Sequence, residues 1–180
     1  VQKGLSGTDN FTQFDRFVGT AYDDSFIVTA GVSAIDGGEG FDSLDFGTLS
    51  GSLTINLASG IIEGRNGTNL NYGSISVGGI EKVSANTASG SYFVGSMTSS
   101  NEFIGGSGVD IFRANGGSNI ITGGGGADWV EYISATQGVD VNLNQNGIGK
   151  GVSSNNGFGG QDILNGITHL RGSSYNDVLN

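Results

Sequence analysis

Cysteine and proline are both absent from the 180 residues, and histidine, methionine and tryptophan occur once each. Without cysteine there is no disulfide and no thiolate metal site, and the chain is compatible with any redox compartment. The basic complement is thin, 7 Lys and Arg against 17 Asp and Glu, for a formal net charge of −10. That balance argues against nucleic acid and anionic membrane surfaces as partners and makes the chain a reservoir for cations. No apolar run approaches about 18 residues, so no membrane-spanning helix is expected. There is no signal peptide and no initiator methionine, and the pattern described below is already under way at Val1 and still running at Asn180. The sequence is therefore expected to be a piece of a longer protein. The apolar share is 36%, below the ordinary value of about 45–50%, which argues against a conventional thick core.

What the chain has in excess is glycine, 35 of 180 residues, against roughly 7% in ordinary proteins. Such a backbone loses much conformational entropy on folding. A flexible linker would share this composition, but a linker keeps no apolar period and this chain does. Residues 96–131 divide into the nine-residue units SMTSSNEFI, GGSGVDIFR, ANGGSNIIT and GGGGADWVE. Their sixth positions are Asn101, Asp110, Asn119 and Asp128, and their eighth are Phe103, Phe112, Ile121 and Val130. Each unit reads as a turn followed by a strand of about three residues whose eighth side chain points inward. One unit cannot bury that side chain, whereas stacked units can. Two units make one coil, so turns on one side recur every 18 residues, the spacing of Asp110 and Asp128 (128 − 110 = 18). Two carboxylates and several uncovered carbonyls then converge between adjacent turns. Such an all-oxygen, negative pocket suits a hard cation of calcium size.

The same template fits residues 4–12, 19–27, 28–36 and 37–45, with Asp9, Asp24 and Asp42 in sixth place or its equivalent. Asp24 and Asp42 are 18 apart and Asp9 and Asp24 only 15, so these three are expected to stack on one edge with two intervening cation sites. Residues 46–85 leave the period. LTINLASGIIEG alternates apolar and polar residues around Ser59-Gly60 and reads as strands, and QFDRFV and GGIEKVSA read as short bridges between units. The excursion recurs after Glu131, where YISATQGVDVNLNQNG matches FGTLSGSLTINLASG at an offset of 86. The acidic turns keep that offset (110 − 24 = 86; 128 − 42 = 86). The organisation expected is a tail of a preceding module at 1–18, a first module at 19–104 and a second at 105–180. Asp162 and Asp177 repeat the 15-residue spacing of Asp9 and Asp24. In ten units the eighth position is always large and apolar, and the sixth is Asp except at Asn101, Asn119 and Ser33. Those three fall on the edge opposite their Asp neighbours, so cations are expected mainly on one edge.

GGSGVDIFR and GGGGADWVE resemble the GGxGxDxUx nonapeptide of RTX, or haemolysin-type, calcium-binding repeat proteins. The resemblance implies an all-β fold, a right-handed parallel β-roll or β-helix of stacked nonapeptide turns with irregular strand excursions. It implies several Ca2+ ions held between same-side turns. The ligand role passes to Asp24, Asp42, Asp110 and Asp128, with backbone carbonyls such as those of Gly19, Gly37, Gly38, Gly40, Gly105, Gly123 and Gly124, and then to Asp9, Asp162 and Asp177. It also implies a secreted or cell-surface bacterial protein exported unfolded by type I secretion and folded by calcium outside.

Signs of catalysis are few. His169, in GITHLR, has no nucleophile or orienting acid nearby in sequence and reads as a bridge residue. GGSGVD and GGGGAD lack the following helix of a phosphate cradle, and in NGIGKGVSS Gly151 holds the Ser/Thr place of a Walker motif. The seventh position, expected to face outward, is Ile111, Trp129, Ile163 and Val178 in the second copy but Ser25 and Ser43 in the first. Either the 132–156 excursion covers that stripe, or it docks a neighbouring domain or ligand. The function expected is a non-catalytic, calcium-binding structural region of a larger protein. Its alternatives are a polysaccharide or surface-ligand binding module of an adhesin, or part of a polysaccharide-active epimerase or lyase.

Overall fold

A computed structural model describes residues 16–29, 31–65, 70, 73–85, 88–144 and 150–180; Asp9 and the 1–18 tail up to residue 15 lie outside these. The described residues form strands and turns with no helix, and none therefore forms a helix long and apolar enough to cross a membrane. The first strands are β1 (Arg16–Val18), β2 (Ser25–Ile27), β3 (Ala34–Asp36) and β4 (Ser43–Asp45). The first excursion supplies β5 (Ser52–Asn56), β6 (Ile61–Arg65) and β7 (Ser74–Gly78). Then follow β8 (Lys82–Ser84), β9 (Tyr92–Val94), β10 (Glu102–Ile104), β11 (Ile111–Arg113), β12 (Ile120–Thr122) and β13 (Trp129–Glu131). The second excursion gives β14 (Asp140–Asn142), β15 (Lys150–Asn155) and β16 (Asp162–Asn165), before β17 (His169–Arg171) and β18 (Val178–Leu179).

These strands make two nine-stranded sheets. Sheet one runs β1-β3-β7-β6-β5-β9-β11-β13-β17 and sheet two β18-β14-β15-β16-β12-β10-β8-β4-β2. Successive repeat strands therefore alternate between the sheets, and each pairs in parallel with the strand one coil away, as Phe112 with Val130 and Phe103 with Ile121. The 18-residue coil follows from two three-residue strands and two turns. The bridges read from the sequence are themselves strands, β1, β8 and β17, so they complete coils rather than join them. The boundary expected at 104/105 falls between β10 and β11, and both sheets run across it through the β9–β11 and β10–β12 pairs.

Each excursion is an antiparallel insertion that makes its sheet mixed. In sheet one β5, β6 and β7 form a meander joining β9 to β3. Gly60 takes a positive φ of 68° at the hairpin turn expected there. The second excursion lies in sheet two, between β12 and β18. From β2 to its counterpart β11 the chain changes sheet an odd number of times, so equivalent strands of the two copies sit in opposite sheets.

The eighth positions line a single core between the sheets. Ile35, Leu44, Phe103, Phe112, Ile121, Val130 and Leu164 are buried in it. Phe93 of sheet one stacks on Phe112 at 4.6 Å and meets Phe103 of sheet two at 5.3 Å. Leu179 departs from the pattern: it sits on the edge strand β18, paired only with β14, and is 43% exposed. Phe103→Ala should remove about 3–5 kcal/mol of stability, because a strand of three residues cannot collapse around the lost ring; urea unfolding in saturating calcium measures this.

Candidate metal centre

The turn preceding each strand leaves a backbone N–H at the corner that no strand ladder reaches. The sixth-position side chain of the neighbouring coil accepts it. Asp24 N donates to Asp42 Oδ1 (2.7 Å) and Asp110 N to Asp128 Oδ1 (2.8 Å). Asn101 N donates to Asn119 Oδ1 and Asn119 N to Asp162 Oδ1, both at 2.9 Å. Ser91 N donates to Asp110 Oδ1 and Val139 N to Asp177 Oδ1. Asp42 N donates to Glu81 Oε2 at 2.9 Å, so Glu81 occupies the next corner of the first acidic column. The sequence reading missed Glu81 because GGIEKVSA is out of period; the acidic residue directly before the strand KVS was the available signal.

The second carboxylate oxygen separates the corners into two kinds. Asp24 Oδ2 accepts from Thr20 N and Thr20 Oγ1, and Asp110 Oδ2 from Gly106 N. The Oδ2 atoms of Asp42 and Asp128 are buried and have no hydrogen-bond partner. Both lie in turns, GGEGFD and GGGGAD, where the second and fourth residues take positive φ: Gly38 (103°), Gly40 (123°), Gly124 (98°) and Gly126 (103°). That backbone, open to glycine alone at low cost, points carbonyls between neighbouring turns. A Cβ on Gly37 would collide with Gly79 O and Asp42 Oδ2, and one on Gly105 with Gly123 O and Asp110 Oδ2. Likewise Gly19 faces Gly37 O, Gly38 faces Thr20 O, Gly123 faces Asp128 Oδ2 and Gly124 faces Gly106 O. The nearest atom facing each of these six glycines is thus an oxygen.

A buried carboxylate oxygen without a donor costs more than the roughly 1–3 kcal/mol of a neutral orphan, a cost that a cation or a proton would relieve. Among the described residues no group of three His, Cys, Asp or Glu side chains could hold a metal. A cation here would be held by carbonyls with the carboxylate pairs Asp24/Asp42 and Asp110/Asp128. That donor set fits calcium, which takes six to eight oxygens in flexible geometry, and not zinc. Burial pushes Asp110 up to about 6, and the neighbouring Asp128 charge adds to this against hydrogen bonds from Ser91 and Gly106. Burial also raises Asp128, with the Asp110 N–H working against it.

The remaining expected ligands are placed differently. Asp162 stacks on Asn119, not on Asp177: β14 and β15 intervene between β16 and β18. Its Oδ1 accepts from Asn119 N, Asn119 Nδ2 and Asn156 Nδ2, and its Oδ2 from Tyr132 Oη at 3.0 Å. The 15-residue spacing shows one turn of the chain but not the two inserted strands. Asp177 accepts from Val139 N and from Ser173 N and Oγ. Burial works against its ionisation, and these bonds outweigh that and hold its carboxyl below the ordinary value of 3.8.

Residues 9–44 and 101–132 match, in four copies, a family model described as the RTX calcium-binding nonapeptide repeat. No curated protein matches the chain.

Asp110 binds its proton more tightly in the folded chain than in the unfolded one. Its contribution to stability is therefore fully present below 3.8 and is lost as pH rises through about 6. In excess chelator the melting temperature should be higher at pH 5 than at pH 7 (both about, chosen to straddle that range), and Asp110→Asn should flatten the difference; thermal melts across this range measure both.

Proposed function

The chain carries RTX calcium-binding nonapeptide repeats, and on that premise we propose that it is a calcium-loaded structural module, a right-handed β-roll that folds when calcium fills the corners at Asp24/Asp42 and Asp110/Asp128. The observation that carries this is the pair of buried, donorless oxygens, Asp42 Oδ2 and Asp128 Oδ2, each against the first glycine of its own turn, Gly37 or Gly123, at equivalent places of the two copies. Asp42 and Asp128 hold the ion with Oδ2 and the neighbouring coil's N–H with Oδ1. Glycine carbonyls complete the shell. Calcium supplies the positive charge that a chain of net charge −10 lacks at these corners.

Extracellular calcium modules bind at roughly 10⁻⁴–10⁻³ M, and at about ten times Kd each site adds about 1.4 kcal/mol. A few sites then approach the total stability of an ordinary domain, 5–15 kcal/mol (about,). In low calcium the acidic corners would lose that stabilisation and the chain would be partly unfolded, which suits export from a bacterial cytosol by type I secretion and folding outside. The two tandem modules, 19–104 and 105–180, are non-catalytic in this reading and link neighbouring domains of a longer chain.

A second reading, a polysaccharide or surface-ligand binding module of an adhesin, or part of a polysaccharide-active epimerase or lyase, is favoured by one surface. On the outer face of sheet one, Tyr92, Ile111, Trp129 and His169 form a row in register. The strands of the second excursion lie in the other sheet, so it is His169 that stacks on Trp129, at 4.5 Å. Beside them Arg113 and Arg171 flank Glu131, at 3.6 and 3.4 Å, and Arg113 lies over the Tyr92 ring.

Circular dichroism in chelator should show a loss of β signal that millimolar calcium restores; equal β content in both conditions would defeat the proposal. Asp128→Ala should lower the number of bound ions. For the second reading, Trp129→Ser should abolish retention on an acidic polysaccharide column with stability unchanged, whereas a loss of stability alone would leave that row a structural cover.

A further inference from the structure

The edge of sheet two that carries Asn101, Asn119 and Asp162 has the same corner architecture as the acidic pairs, yet its carbonyls are met in another way. Asn119 Nδ2 donates to Gly116 O at 3.2 Å, Ala114 O at 3.3 Å and Asp162 Oδ1 at 2.9 Å. Ala114 is the first residue of its unit, the place held by Gly105 and Gly123 in the acidic turns. Asn115 is the one described non-glycine residue with positive φ, 58°, at the place held by Gly106 and Gly124. From there its Nδ2 donates to Gly95 O at 2.9 Å. Asn156 Nδ2 reaches Gly117 O at 2.8 Å and Asp162 Oδ1 at 3.2 Å. Three buried carboxamides thus place N–H donors against four turn carbonyls and a carboxylate, and of their own oxygens Asn115 Oδ1 alone has no partner. On the Asp110/Asp128 edge the turn carbonyl Gly106 O takes a backbone donor, Gly125 N, and Asp128 Oδ2 is left without a partner.

We propose that the carboxamides of Asn119, Asn115 and Asn156 stand where a cation stands at the acidic corners, so that this edge closes without calcium and the choice of Asn or Asp at the sixth position decides which corners take an ion. The inference rests on the calcium reading of the acidic pairs. An Asn keeps the fold-bearing acceptor, since Asn119 Oδ1 still takes the Asn101 N–H. It replaces the second oxygen by a donor, and so satisfies the inward carbonyls instead of adding to their negative potential. Asp at the same place would leave two carboxylates, its own and that of Asp162, among carbonyls with fewer donors. That is the situation at Asp110/Asp128.

The test exchanges the two residue types in the full chain and reads ion count and hydrogen exchange rather than an activity. Asn119→Asp should bind one calcium ion more than the parent, by equilibrium dialysis, and melt lower in chelator. Asp128→Asn should bind one ion fewer and melt no lower in chelator than the parent; it serves as the decisive variant if Asn119→Asp does not fold. In the parent protein in chelator, amides of 114–122 should stay protected while those of 105–113 and 123–131 exchange. Calcium binding by the parent with an unchanged count in both variants, or with 114–122 exchanging as fast as its neighbours, overturns the inference. A parent that binds no calcium at millimolar concentration defeats the calcium reading instead, and its ion count separates the two failures.

Discussion

The structure depends on an acceptor at each corner that reaches across to the neighbouring coil. A chain that turns every few residues leaves corner N–H groups outside the strand ladders, and an unpaired buried donor is costly. The sixth-position oxygen meets that donor in both sheets and in both copies, whether it comes from Asp, Asn or the longer Glu81. The demand is for an oxygen aimed along the stack. Charge is a separate matter, decided by what surrounds the second atom of the side chain.

That separation explains how so glycine-rich a chain holds one conformation. Each three-residue strand brings a single large apolar side chain to the core, and the Phe93, Phe103 and Phe112 rings join the two sheets through it. Glycine at Gly37 and Gly105 is required because a neighbouring carbonyl occupies the place of any side chain. The entropy lost in ordering such residues is offset by inter-coil hydrogen bonds and the thin core.

Much of this was legible in the sequence because the period of 18 residues is a property of geometry. The alternation of strands between sheets, the inward eighth position and the stacking of Asp24 on Asp42 and Asp110 on Asp128 all follow from it. Where the period lapses, spacing ceases to report neighbourhood. Asp162 and Asp177 are separated in space by strands that lie before Asp162 in the chain, and no distance along the sequence shows an insertion of that kind. Glu81 was hidden for the related reason that its half-coil looks like a connector. The partners of Asp162, especially Tyr132 and Asn156, belong to the excursion, whose path is set by packing and not by repetition.

The odd count of sheet changes per module carries a mechanical meaning. Because Asp24 and Asp42 precede strands of one sheet and Asp110 and Asp128 precede strands of the other, ions held at the proposed pairs would act as rivets set alternately on the left and right flanks of an array of such modules. A filament riveted along one flank only would bow when the rivets were withdrawn. One riveted on both in turn slackens evenly along its length and keeps its axis straight.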